Sequence, residues 1–270
     1  MPLTDYTIAV LEDTIRILGL FRNEHGGLSL AEIADSSGLV KNKAFRILFT
    51  LEKHHMVERD ENGKFRLGLR FLEFGRHVQS QTRLLQSSHS VMDWLVQETR
   101  ESIFLGVISG EEALCVAVRE SPRSIRLFAE VGRRTALHSG GVPKVLLAHL
   151  SGSERGVLLD KYHESASDAS GHMINRQALE EVLDHIRETG YAVVIDDLDI
   201  GALSIAAPIR SHQGRVIAAI SIAGPSHRFT DERIQHYTQV IVKAAGQISM
   251  TLGYASPEIL TNGLHNPALF

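Results

Sequence analysis

The stretch from Leu28 to Val57 constrains this chain more than any other. It reads as two short helices joined by a tight turn at Gly38. Ser29 and Glu32 have the spacing of a capping box, with Leu28 as the apolar residue before the cap. Gly38 tolerates the left-handed conformation that ends such a helix, and Ala34 is small, as close helix–helix approach requires. The second helix opens near Lys41 and carries Ala44, Ile47, Leu48 and Leu51 as its core stripe. Its first turn and a half holds Lys41, Asn42, Lys43, Phe45 and Arg46, and no acid lies between Asp35 and Glu52. A cationic helix braced by a shorter one is a device for entering the DNA major groove. Arg and Lys read guanine edges there and Asn reads adenine, while the same side chains grip phosphates equally well.

The flanks complete the unit. Ile8, Leu11, Ile15, Leu18 and Phe21 recur at spacings of three and four, which predicts an amphipathic helix ended by Gly26-Gly27. Downstream, Asn62-Gly63 signals a hairpin between Val57 and Leu67. Phe65 and Leu67 alternate with Lys64 and Arg66 as a buried and a wet face, leaving the two cations available to phosphates. Three helices and a hairpin predict a winged helix-turn-helix over residues 5–68.

Residues 69–99 are mostly helical in pattern, with a break at Gly75 and a polar stretch from His77 to Ser90. They predict a linker helix over 69–84 leading into a second domain over 85–253. There Ser102–Ile108, Ala113–Val118 and Ile125–Glu130 read as strands, then Val142–His149, Ser153–Tyr162 and Asn175–Thr189 as helices. Tyr191–Ile195, Ala202–Ile209 and Arg215–Ile222 follow as strands. Asp231–Leu252 closes as a long helix with Thr230 as its cap. Helices segregated from a largely antiparallel sheet make this domain an α+β sandwich. An irregular tail is expected over 254–270.

Charge and composition narrow the classes. The net charge is −4, yet residues 1–79 hold 11 Lys/Arg against 11 Asp/Glu, so any basic footprint is local to the Lys41 helix. No apolar run reaches membrane-spanning length, and the first residues lack the charge and apolar pattern of a signal peptide, so a cytoplasmic location is expected. The single cysteine, Cys115, excludes a disulfide framework and a cysteine-rich zinc site, and reads as a small hydrophobe in a strand.

Two clusters invite chemistry. Leu137 to Leu147 places Gly140 and Gly141 before a helix whose Pro143 fits the first helical position. Backbone N–H groups there make either a cradle for a carboxylate or phosphate or a plain strand-to-helix turn. His138, Ser139 and the downstream Asp196-Asp197 have the residue types of a hydrolytic triad, without a Gly-x-Ser-x-Gly elbow. No catalytic residue, metal site or cofactor is therefore assigned. The competing reading is a metabolite-binding protein or hydrolytic enzyme that uses its winged helix only for assembly.

Together these segments resemble the IclR-type bacterial transcriptional regulators over nearly the whole chain. The carrying stretches are the winged helix, Leu137 to Ala148, Gly190-Tyr-Ala-Val through Ala206-Ala-Pro-Ile209, Gly214 to Pro225, and Arg228-Phe-Thr230. The resemblance implies operator binding as dimers or paired dimers, and a GAF-like second domain that senses a small organic acid. It maps the effector pocket onto Leu127, Gly140, Gly141, Val142, Val194, Ser204, Ser221 and Ala223. Val194 stands where the family often has an acid, Ser204 where it often has a cysteine, and Ala223 where it often has a serine. Losing the polar groups at Val194 and Ala223 implies a more apolar pocket, suited to an aromatic or branched carboxylate. Val40, Asn42 and Lys43 replace the usual residues at the start of the recognition helix, so the expected operator departs from the commonest family sequence. If Lys43 contacts a phosphate, Lys43→Ala is expected to flatten the salt dependence by about one unit.

Overall fold

The computed structural model describes residues 6–23, 26–165 and 173–255 and divides into two compact units, Met1–Gln81 and Thr82–Phe270. The tail beyond residue 255 lies outside the described residues.

The first unit runs α1 (Ala9–Leu20), α2 (Leu30–Ser37), α3 (Lys41–Lys53), β1 (Val57–Arg59), β2 (Phe65–Leu67) and α4 (Arg70–Gln81). Ser29 accepts from the Glu32 N–H while Glu32 accepts from the Ser29 N–H, so the capping box forms as the spacing predicts. Gly38 closes α2 at φ +70°. Ala44, Ile47, Leu48 and Leu51 of α3 are buried with Ile17, Ile33, Val57 and Phe65 in one core.

Three expectations are corrected here. Only the C-terminal half of the apolar stripe is buried: Leu18 and Phe21 pack on the core, whereas Ile8, Leu11 and Ile15 are exposed and Asp13 and Ile17 point inward in their place. Spacing finds an apolar stripe but not the surface that covers it. In β2 only Phe65 is buried, and Leu67 is exposed. Phe65 lies inward because it also pairs with Leu28, exchanging N–H···O bonds of 2.7 and 2.8 Å that add a third segment to the hairpin. Finally, α4 runs straight through Gly75, and the helical stretch breaks at Thr82 instead.

The second unit begins with α5 (Arg83–Thr99) and continues β3 (Ser102–Ser109), β4 (Glu112–Arg119), β5 (Arg134–Ala136), α6 (Gly141–Ala148), α7 (Gly152–Ser165) and α8 (Arg176–Thr189). It ends with β6 (Ala192–Ile195), β7 (Ala202–Arg210), β8 (Val216–Pro225) and α9 (Asp231–Thr251). The strands form one sheet in the order β5-β4-β3-β8-β7-β6, antiparallel at every pairing. Helices α5 and α9 cover one face, packing on Ile103, Leu105, Leu203, Ile205, Ile220 and Ile222. Helices α6, α7 and α8 cover part of the other, packing on Ala192, Ala206 and Ala219. Thr230 caps α9 by accepting from the Arg233 N–H, and Asp231 and Glu232 favour the positive end of its dipole.

Ile125–Glu130 is not a strand. The segment has no ladder partner and is held by side chains instead: Ser102 Oγ donates to the Leu127 carbonyl (3.2 Å) and Arg228 to that of Ile125 (3.0 Å). The third strand is the shorter β5, which pairs with β4.

Candidate functional site

Two surfaces carry the residues singled out by sequence. On α3, Lys41, Asn42, Phe45 and Arg46 are exposed on the side away from the buried Ala44, Ile47 and Leu48. Among the described residues neither Lys41 nor Arg46 has an acidic partner. Lys43 does: its Nζ lies 2.5 Å from the carboxylate of Asp13, which is only 6% exposed on α1. The first turn of α3 is thus braced by an ion pair to α1, which the sequence reading missed because the partners are thirty residues apart. In the wing, Asp60 organises the turn, its Oδ1 accepting from the N–H groups of Asn62 and Lys64 at 2.9 Å. Arg59 stacks on Phe65 at 4.5 Å and pairs with Glu52. Lys64 is half-buried, while Arg66 is exposed and only 3.9 Å from Glu58.

The second surface is a pocket of about 800 Å³, counted to its open mouth, on the sheet face beside the start of α6. All eight positions assigned from the family resemblance line it: Leu127, Gly140, Gly141, Val142, Val194, Ser204, Ser221 and Ala223. Strand register explains why. Val194 pairs with Ser204, Ser204 with Ala223, and Phe104 with Ser221, so these side chains share one face. The close approach of α6 depends on two glycines. A Cβ on Gly141 would sit 2.6 Å from Ser204 Oγ, and one on Gly106 would sit 2.6 Å from Val142 Cγ1.

Sequence reasoning missed Phe104, Cys115, Phe128, Arg133 and Asp197 in this lining. Cys115 was hidden by a bulge: Leu105 pairs with Ala117 but Gly106 with Cys115, so Val116 is extra and the alternation changes phase. Ala117 therefore joins the core under α5 and α9, while Cys115 is half-buried at the pocket. Burial pushes its thiol up to about 11.

The start of α6 is not an empty anion cradle. Asp197 accepts from the Gly140 N–H and from Lys144 Nζ, each at 2.5 Å, so a tethered carboxylate already caps the helix. Asp196 places it by closing the β6–β7 turn, its Oδ1 accepting from the Gly201 N–H at 2.6 Å. Pro143 occupies the third position of α6, not the first, because the helix starts at Gly141. His138 and Ser139 are hydrogen-bonded (3.0 Å), but both are buried outside the pocket lining, with His138 edge-on to Tyr162. Asp197 is engaged by α6, so the three do not form a triad.

Comparison with known proteins fits both surfaces. Residues 10–61 match the IclR helix-turn-helix domain, and residues 76–250 match the bacterial transcriptional regulator IclR C-terminal domain. This chain belongs to the IclR family. It is 33% identical to the HTH-type transcriptional regulator KipR of Bacillus subtilis over 89% of this chain and 96% of KipR. It is 27% identical to the transcriptional repressor IclR of Escherichia coli over 88% of each. An IclR homolog from Microbacterium hydrocarbonoxydans, solved in complex with 4-hydroxybenzoate, superimposes with a TM-score of 0.80 at 26% identity, covering 90% of this chain and 98% of that one.

As an IclR-family member the chain is a ligand-responsive, DNA-binding transcriptional regulator and not an enzyme, which sets aside the reading of the winged helix as an assembly module. No helix among the described residues is long and apolar enough to cross a membrane. Two histidines tie the second domain to pH. Burial lowers His138 and His149, and His149 is held neutral, with Nδ1–H donating to the Val145 carbonyl at 2.9 Å and Nε2 facing Arg210. As pH falls below the ordinary histidine value near 6.5, the unfolded chain takes up these protons first. Stability is then full above about pH 6.5 and declines as pH falls toward the lowered folded values. The melting temperature of the second domain is expected to fall between about pH 6.5 and pH 5. His138→Gln and His149→Gln should each flatten that slope; an unchanged slope in both variants would contradict the assignment.

Proposed function

We propose that this regulator binds operator DNA through Lys41, Asn42, Phe45 and Arg46 of α3, with Lys64 and Arg66 of the wing on phosphates. Their exposure beside a buried helical face supports this role. A domain with zero net charge holds DNA weakly alone, so operator binding rests on pairing copies of the chain. The exposed apolar residues of the first unit, Ile8 just before α1, Leu11 and Ile15 on it and Leu72 on α4, supply a surface for that pairing. We further propose that the second domain senses a small aromatic or branched carboxylate, and that occupancy favours one arrangement of the paired winged helices. A cytoplasmic location follows from this role.

The observation that carries the ligand reading is the pocket itself, an apolar cleft lined by Phe104, Leu127, Phe128, Val142 and Val194 with two serines at its floor. Small-molecule sites have this composition, and the relative with 4-hydroxybenzoate holds an aromatic carboxylate. The test is a thermal-shift screen of carboxylic acids repeated on Ala223→Leu, which fills the pocket from β8. Gly141 is unsuited to that purpose, because any side chain there collides with Ser204 and Ala206. One or more aromatic or branched acids are expected to raise the melting temperature of the natural chain and not of the variant. Shifts produced only by very small polar acids, or retained in Ala223→Leu, would sink the reading.

A further inference from the structure

The charged groups of the pocket are unevenly satisfied. On the β6–β7 side, Asp197 is matched by Lys144 and the Gly140 N–H, so the charge at the start of α6 is balanced within the protein. An incoming anion there meets the charge of Asp197 and finds only the N–H groups of Gly141 and Val142, since Pro143 has none. Asp199, exposed on the same turn, adds a second negative group to that wall.

The opposite wall, at the β4–β5 edge of the sheet, presents Arg133. Its backbone is fixed: the carbonyl accepts from the Cys115 N–H (2.9 Å), and its own N–H donates to Glu130 (3.1 Å). Its guanidinium is not fixed in the same way. Among the described residues it makes a single long hydrogen bond, 3.4 Å to the Phe128 carbonyl, and no acid pairs with it. Between the two walls lie Phe104, Val142, Val194 and Ala223, and the hydroxyls of Ser204 and Ser221, which have no hydrogen-bond partner among the described residues. A guanidinium free on one wall, an apolar floor and unpaired hydroxyls nearer the other define a direction for the ligand. An unpaired guanidinium offers a carboxylate two parallel N–H donors without breaking an existing ion pair.

We infer that Arg133 is the carboxylate anchor of this pocket, and that the ligand is an amphipathic monocarboxylate lying across the sheet with its carboxylate toward Arg133. Its apolar body rests on Phe104, Val142 and Ala223, and a hydroxyl or similar group on its far end meets Ser204 and Ser221. The acids on the β6–β7 side disfavour a second carboxylate. This deepens the acid-sensing reading above and rests on it.

The experiment measures affinity of the full chain by calorimetry for matched acid and amide probes, benzoate with benzamide and 3-methylbutanoate with 3-methylbutanamide. Each pair shares an apolar body and differs in charge. The natural chain is expected to prefer the acid by about tenfold or more, the scale of a charged hydrogen bond. Arg133→Met should bring acid and amide to near-equal affinity by weakening the acid far more than the amide, and Arg133→Lys should restore part of the preference. Because Arg133 is exposed, the unliganded variants should melt with the natural chain. An acid preference that survives in Arg133→Met overturns the anchor and moves the carboxylate to Gly141 and Val142. Equal or higher affinity for the amides in the natural chain also overturns it. If no acid binds the natural chain, in these probes or in the wider screen, the acid-sensing reading falls and this one with it.

Discussion

Replacing Arg228 with alanine is expected to lower the melting temperature of the second domain by roughly 6–12 °C. Glu101, 1% exposed, is the most buried charged group among the described residues. Both of its oxygens are taken by Arg228, whose Nε donates at 2.7 Å and whose second terminal nitrogen makes the closer contact. Arg123 stands further off at 3.8 Å, its Nε buried without a hydrogen-bond partner. Removing one partner of a buried pair strands the other charge, at about 3–5 kcal/mol. Arg123 remains to offset part of that, so about 3 kcal/mol is the expected loss, at about 2–4 °C per kcal/mol for a domain of this size. Arg228 also holds the Ile125 carbonyl, and the segment that follows supplies Leu127 and Phe128 to the pocket. Arg228→Ala should therefore also shrink the ligand-induced thermal shift. Glu101→Gln combined with Arg228→Ala should recover part of the stability by removing the stranded charge. A melting temperature within about 2 °C of the natural chain would show that the pair contributes little.

The second large effect is expected on α3. Arg46→Ala should weaken operator binding by about 1–3 kcal/mol per subunit, roughly five- to 150-fold. Titration at several salt concentrations separates the two ways it can act. A phosphate contact lowers the salt slope by about one per subunit, whereas a base contact leaves the slope and relaxes sequence preference. Unchanged affinity would remove Arg46 from the interface. Lys43→Ala is expected to behave differently from the sequence-based expectation. Lys43 neutralises the buried Asp13, so its loss should cost about 1 kcal/mol of winged-helix stability, given its half-exposed side chain, and leave the salt slope unchanged. A slope shallower by one with stability intact would show that Lys43 leaves Asp13 for the DNA.

Local rules made much of the architecture legible. The capping box at Ser29, the Gly38 stop and the Thr230 cap each depend on residues within a turn or two. What sequence could not show depends on distant partners. The α1 stripe gave the right helix and left the buried face open, because the side turned inward is chosen by α2 and α3. Ile125–Glu130 has strand-like residues, yet the neighbouring ladder is taken by β5 and the segment is held by Ser102 and Arg228. In the pocket, family motifs found eight positions: four on the sheet floor, three at the start of α6, and Leu127 on the segment before β5. Arg133 went unnoticed and Asp197 was read only as a triad candidate, because their roles come from who else points into the cavity: a guanidinium without an acid on one side and a capped helix on the other.

The register of the sheet separates two kinds of selection. Along β3, β7 and β8, Ile103, Leu105, Leu203, Ile205, Ile220 and Ile222 hold the fold together under α5 and α9. The alternate residues Phe104, Ser204, Ser221 and Ala223 touch only what enters the cleft or what borders it. Stability and chemical taste are thus written on interleaved letters of the same strands, and the Val116 bulge lets β4 contribute to both. A mutation that changes the preferred metabolite need not disturb the scaffold that transmits its arrival. A lineage carrying this sheet can acquire new effectors one side chain at a time while its structural core stays in place.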